Sequence, residues 1–316
     1  MPLYIHAMRQ DLDARASWTM LLLSAIWGLQ QVAIKATAAD VAPLMQVALR
    51  SGGAAALVWL AAKLWLKDRW RSDVTLMAPV VGLLFAAEFL LVAEGLRWTS
   101  AAHMAVLLYT APLFSAVGLH LALPEERLGT TQWLGVGLTF AGICVTFLRP
   151  GTLVTDGAIG DALYGDLLGL GAGAAWGLTT VAVRTTKLSD APPAQTLFYQ
   201  LAGAFVVLLP IAVLSGQDHF RLSGGAALSM TFQTVLVSFV SYLVWFTLLR
   251  RYYAAKLGIL SFMTPLFGVA LGVLFLGESI STAFAAGSVL VLAGLLIVNA
   301  GAWLPALGRC FNRKPT

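Results

Sequence analysis

Apolar runs of about 20 residues recur along the whole chain, each long enough to cross a hydrocarbon core of about 30 Å as a helix. Ten such spans are predicted, at 18–38, 43–66, 75–95, 99–122, 131–148, 163–184, 192–214, 229–249, 254–276 and 282–303. The connections between them are short, which leaves no room for a folded domain outside the bilayer. The pattern predicts an all-α integral membrane protein of ten transmembrane helices. Composition agrees, because 59% of the 316 residues are hydrophobic and 11% charged, against about 25% charged in a soluble domain.

The net charge of +5 need not signal nucleic acid, because its distribution has a simpler cause. Placing the N-terminus in the cytoplasm puts fifteen of the twenty basic residues on that side, among them Lys63, Arg71, Arg127, Arg184, Lys187 and Arg250. The positive-inside rule then favours two cytoplasmic tails, 1–17 and 304–316. The first span is too long for a signal-peptide core and follows Asp11 and Asp13, so it is expected to be retained. Cys144 and Cys310 fall far apart and are expected to stay thiols.

The chain also repeats itself. LLSAIWGLQQVAIKA around Trp27 matches GAGAAWGLTTVAVRT around Trp176, and Lys35, Pro43 and Gln46 meet Arg184, Pro192 and Gln195 at the same offset of 149 residues. Pro112 pairs with Pro265 and Glu125 with Glu278 at an offset of 153, and Gly135 with Gly287 and Gly142 with Gly294 at 152. The repeats are expected at 18–148 and 163–303, joined by an external linker at 149–162. Five spans per copy is an odd number, so the second copy must enter the membrane from the opposite face. Inverted repeats of this kind place a solute near mid-membrane between the halves and suggest a transporter.

The WG pairs at the first helix of each half, APLF at 111–114, TPLF at 264–267 and the acidic ends LPEERL and LGESIS resemble the drug/metabolite transporter superfamily of EamA type. The resemblance covers about 18–303. Length and an aromatic-rich first half are most similar to the bacterial amino-acid exporter subgroup known as YddG. It implies a ten-helix basket in a bacterial inner membrane, built around a central cavity, that exports metabolites such as amino acids by alternating access, with multidrug or other metabolite export as the alternative.

Several residues are candidates for the cavity or its gates. Trp27 and Trp176 lie near mid-span, where an indole N–H needs a partner and the ring either packs or walls a cavity; Tyr242 is a further cavity candidate. Trp18, Trp65, Trp70, Trp98, Trp133 and Trp303 fall at span ends and read as interfacial anchors. Pro112 and Pro265 interrupt corresponding helices as hinges or static kinks, and the hydroxyls of Tyr109, Thr110, Ser261 and Thr264 either hold a polar substrate or repair the helix. Gly165, Gly169, Gly173 and Gly177 form a close-packing stripe. Arg50 sits about seven residues, roughly 10 Å, into the second span, and Glu88 reaches a similar depth. Buried charges of this kind pair or face a wet cavity. With Lys35, Glu94 and His103 they form an external gate, bind the charged ends of an amino acid, or make a static pair.

The sequence carries no HExxH, GxSxG or GxxxxGK[ST] motif, so neither an enzyme nor an ATP-driven pump is favoured, and no metal or cofactor is expected. A channel is separated from a carrier by counterflow. One chain already supplies both halves, so a monomer suffices.

Overall fold

The computed structural model describes residues 13–66, 69–124, 127–147, 157–252, 257 and 260–311. The first span is the helix Ala14–Ala36, started by Asp13, whose side chain accepts from Ala16 N–H at 2.7 Å. The second runs Pro43–Ala61 and widens into a π turn, Ala62–Leu66. The third is Ala78–Trp98, entered through the 3-10 turn Ser72–Met77. Two pieces, Ala101–Leu108 and Ala111–Ala122, make the fourth, and Thr130–Phe147 is the fifth. The second half repeats the series with Gly157–Thr185, Pro193–Leu214, and Gly224–Thr231 continuing through a π segment, Phe232–Ser241, into Tyr242–Arg251. Met263–Leu276 and Thr282–Phe311 complete the ninth and tenth. Among the described residues seven helical stretches are long and apolar enough alone to cross a membrane, and Met263–Leu276 and Thr282–Val298 add shorter apolar lengths.

The connections show that the halves are inverted. The turn after the first span meets the turn after the seventh: Val41 bridges Phe220, and Arg221 Nη2 pairs with Asp40 at 2.7 Å. The turn after the sixth span, which is the repeat counterpart of the turn after the first, instead meets the entrance to the third. There the Gln195 side chain accepts from Arg71 N–H at 2.9 Å and donates to Arg71 C=O at 2.7 Å. Equivalent turns thus lie at opposite ends of the bundle. The Asp40–Arg221 end is the one that the charge asymmetry of the sequence predicts to be outer.

Neighbour relations obey the same pseudo-twofold. The first span packs on the ninth as the sixth packs on the fourth, and the third packs on the sixth and seventh as the eighth packs on the first and second. The second–seventh and fifth–tenth pairs map onto themselves. A Cβ on Gly28 would strike Thr264 O, Phe267 and Gly268, and one on Gly177 would strike the repeat-equivalent Ala111 O, Phe114 and Ser115. The stripe from Gly165 to Gly177 is therefore a packing seam, pressed against Thr99, Leu107, Thr110 and Phe114 of the fourth span and its entrance.

This pattern yields two bundles that are not the two halves of the sequence. Spans three, four, six and seven form one, and spans eight, nine, one and two form the other, so each half lends its first two helices to its partner, and the second and seventh spans, each the other's main neighbour, join the two bundles. Spans five and ten stand outside as an antiparallel pair. Gly135 seats against Gly294, and Gly142 against Gly287, so the backbones touch.

The prolines sit where helices restart. Pro112 and Pro265 occupy the first turn of Ala111–Ala122 and Met263–Leu276, where a missing N–H costs no hydrogen bond. Ahead of Pro112 the chain turns at Tyr109 and Thr110, and Thr110 Oγ1 donates to Leu107 C=O at 2.6 Å, which repairs the break. Among the expected anchors, Trp18 and Trp65 are 73% and 72% exposed, whereas Trp70 folds inward onto Phe198 at 5.0 Å. The Trp303 side chain, the tail 1–12 and most of the linker lie outside what is described.

Candidate functional site

Arg50 and Glu88 come from different bundles and meet the same buried region. Arg50, on the second span, is 1% exposed, and its guanidinium lies 4.3 Å over the ring of Phe89. Glu88, on the third span, is 5% exposed. The two charges lie within electrostatic reach of each other and of Tyr242 on the eighth span, yet no ion pair joins them among the described residues. Arg50 Nε and Nη1 and Glu88 Oε2 are buried without a hydrogen-bond partner. A buried charge held without a bonded partner is costly, and a fold retains one where something else completes it.

Aromatic side chains wall this region. Trp27 donates its indole N–H to Ser241 Oγ at 2.8 Å, which answers the demand the sequence raised for a partner. With its ring fixed, Trp27 packs edge-on against Trp245 at 5.7 Å and tilts against Tyr242 at 6.4 Å. Across the pseudo-twofold, Trp176 packs edge-on against the buried Tyr109 at 5.3 Å. The site is asymmetric in charge. Ser241 holds the repeat position of Glu88 and is taken up by Trp27, while Tyr199 holds that of Arg50 and bonds Gln195 at 2.7 Å.

The other predicted gate residues lie apart from this cluster, at the outer end. His103 Nδ1 is 3.0 Å from Asp166 Oδ2, and its ring stacks on Phe284 at 3.9 Å and 9°. Thr99 Oγ1 donates to the same carboxylate, and Lys35 Nζ donates to Thr99 C=O. Glu94 is bound by Arg97 at 2.8 Å and by Gln217 at 3.2 Å. Ser261 lies half-buried one residue before the bend at Phe262. Sequence reasoning missed Asp166, Trp245 and Phe284. Asp166 alone left a signal, being an acid inside a predicted apolar span.

Gln46 and Gln195, found in the sequence only as register marks, turn out to fasten opposite ends. Gln46 donates to Ile34 C=O at 3.0 Å and Val41 C=O at 2.9 Å and accepts from Gln233 at 2.7 Å, holding the outer turn. Gln195 does the same for the inner turn through Arg71.

Comparison with known proteins agrees with this geometry. The chain is 25% identical over 288 residues to a Salmonella typhimurium protein named a probable amino-acid metabolite efflux pump, covering 88% of this chain and 92% of that one. An Escherichia coli protein of the same name is 26% identical over 292 residues, covering 88% and 92%. A solved crystal structure superposes with a TM-score of 0.62 at 20% identity over 91% of this chain and 98% of the other, which supports the fold. The family model described as EamA-like transporter matches residues 15–148 and again 163–300, one match to each inverted repeat, and so the chain belongs to the EamA-like transporter family.

Proposed function

We propose that this transporter exports small zwitterionic metabolites, neutral and aromatic amino acids first among them, by alternating access. Both termini then lie in the cytoplasm of a bacterial inner membrane. The observation that carries the reading is the unbridged Arg50–Glu88 couple between the two bundles. A substrate carboxylate on Arg50 and an ammonium on Glu88 supply the partners these groups lack, through charge-assisted hydrogen bonds. The substrate side chain then meets Trp27, Tyr109, Trp176 and Tyr242. The names of the two efflux-pump relatives support the same class.

Because Arg50 and Glu88 ride on different bundles, a zwitterion spanning them cross-links the bundles, and its binding energy is available to drive their rocking. Pro112, Pro265 and Ser261 lie at the breaks where the fourth and ninth spans bend. Purified protein in liposomes, tested for counterflow against labelled amino acids with and without a pH gradient, tests the reading. Saturable counterflow of neutral amino acids is expected; uptake that never saturates, or no flux of any amino acid, overturns it.

A further inference from the structure

At the outer end contacts cross between the bundles, and one of them is built around a single carboxylate. Glu278, in the turn after the ninth span, accepts from Ala101 N–H at 2.7 Å through Oε1 and from Ala102 N–H at 2.9 Å through Oε2. These are two of the free donors at the start of the fourth span, where the helix dipole also favours an anion. A helix is normally capped by its own chain. Here Ser100 does cap His103 N–H at 3.0 Å, and the two donors before it are taken by a side chain from the opposite bundle.

The local backbone serves this placement. Gly277, at φ 65°, ends the ninth span in a left-handed turn, with Gly277 N–H on Val273 C=O at 3.1 Å and Glu278 N–H on Gly272 C=O at 3.4 Å. That turn sends the Glu278 side chain back along its own helix. Gly272 leaves the room it needs, since a Cβ there would stand 2.5 Å from Glu278 Oε2. The receiving end is braced by neighbouring spans. His103 binds Asp166 of the sixth span and stacks on Phe284 of the tenth, and Lys35 of the first span, within electrostatic reach of Glu278, holds Thr99 C=O. Beneath the contact every residue from Ala101 to Leu108 is buried.

We propose that Glu278 is the gating residue of the outer end: its carboxylate holds the two bundles together by capping the fourth span in trans, and its release opens the site outward. Gly272, Gly277 and Lys35 position it. Its repeat counterpart is Glu125, but Leu119 and Pro124 stand where Gly272 and Gly277 seat Glu278. The glycine seat therefore belongs to the second repeat alone. The inference rests on alternating access and not on the identity of the substrate.

The test reads conformation with no substrate present. In a background with Cys144→Ala and Cys310→Ala, a reporter Ala105→Cys lies under the gate, on the face of the fourth span that meets Gly268. An impermeant thiol reagent is applied from the outer side. Glu278→Gln, which keeps the shape but loses the charge and one acceptor, is expected to raise the labelling rate at least about fivefold. Gly272→Ala, which displaces the carboxylate without touching its charge, is expected to act in the same direction. Asp40→Asn, whose carboxylate at the same end binds Arg221 and Ser223 and not the fourth span, is expected to leave the rate near its starting value. Unchanged labelling in both gate variants, each with a normal melting temperature, overturns the proposal, as does an equal rise in Asp40→Asn. A failure of the amino-acid assay with this labelling pattern intact would sink the substrate and leave the gate standing.

Discussion

A single charge in an apolar run is the most legible kind of residue in this sequence, and Arg50 and Glu88 were found that way. Their surroundings were legible only in part. Tyr242 was a cavity candidate and Trp245 was not; they lie 192 and 195 residues beyond Arg50 and 154 and 157 beyond Glu88, and nothing in local spacing says that the eighth span closes over the second. The geometry predicts that Arg50→Gln and Glu88→Gln each cut amino-acid counterflow by about tenfold or more, the loss of one charge-assisted partner, while leaving the melting temperature unchanged or raised. Raised stability is expected because a buried charge without a bonded partner is removed. Intact flux in both variants would rule out a substrate role. Outside the membrane the sign is different at Asp40. Its carboxyl is held below the usual carboxylate range, first by the Ser223 hydroxyl and then by Arg221. A depressed carboxyl contributes stability above its ordinary value, and that contribution fades as pH falls through the lowered one. Melting curves should therefore lose the Asp40 contribution only below about pH 4, and Asp40→Asn should flatten that limb.

At the scale of elements, the glycine pairs found as repeat markers proved to be contacts. Gly135, Gly142, Gly287 and Gly294 mark equal positions in the two halves, and the fold brings them face to face across the fifth and tenth spans. The repeat could be read because small residues stayed in register. That they meet each other could not, since it depends on the pseudo-twofold passing between those two helices. A Leu at position 294 would drive its Cβ into the Thr139 hydroxyl and into the backbone of Thr139 and Gly135, which cannot yield. Overpacking of this kind costs about 1–3 kcal/mol, so Gly294→Leu should lower the melting temperature in detergent. Pro112 and Pro265 call for the opposite expectation. Each already sits in a first turn, so Pro→Ala at either position should cost little stability. If the bends at Tyr109–Thr110 and Phe262 flex during transport, these variants should slow counterflow at unchanged affinity, whereas static kinks would leave both unaltered.

At the scale of the molecule, the halves read from the sequence are not the groups into which the spans pack. Exchange of the first two helices puts spans one, two, eight and nine together, and spans three, four, six and seven together. Five-span counting showed the inversion but was blind to the exchange, which is a property of packing and not of order along the chain. Two crosslinks separate these descriptions. Val41 and Phe220 pair across two turns leading into the second and eighth spans, both of one bundle, and facing Cα atoms in an antiparallel bridge are about 4.5–5.5 Å apart, a separation a disulfide accepts. Ala102 and Gly272 face each other between bundles, a Cβ on Gly272 lying 3.5 Å from Ala102 N. In a background without native cysteines, a Val41→Cys, Phe220→Cys disulfide should leave counterflow intact. A short dithiol link between Ala102→Cys and Gly272→Cys should abolish it reversibly, reduction restoring the rate. If the sequence halves moved as rigid bodies instead, both links would join one moving half to the other, and both would arrest transport.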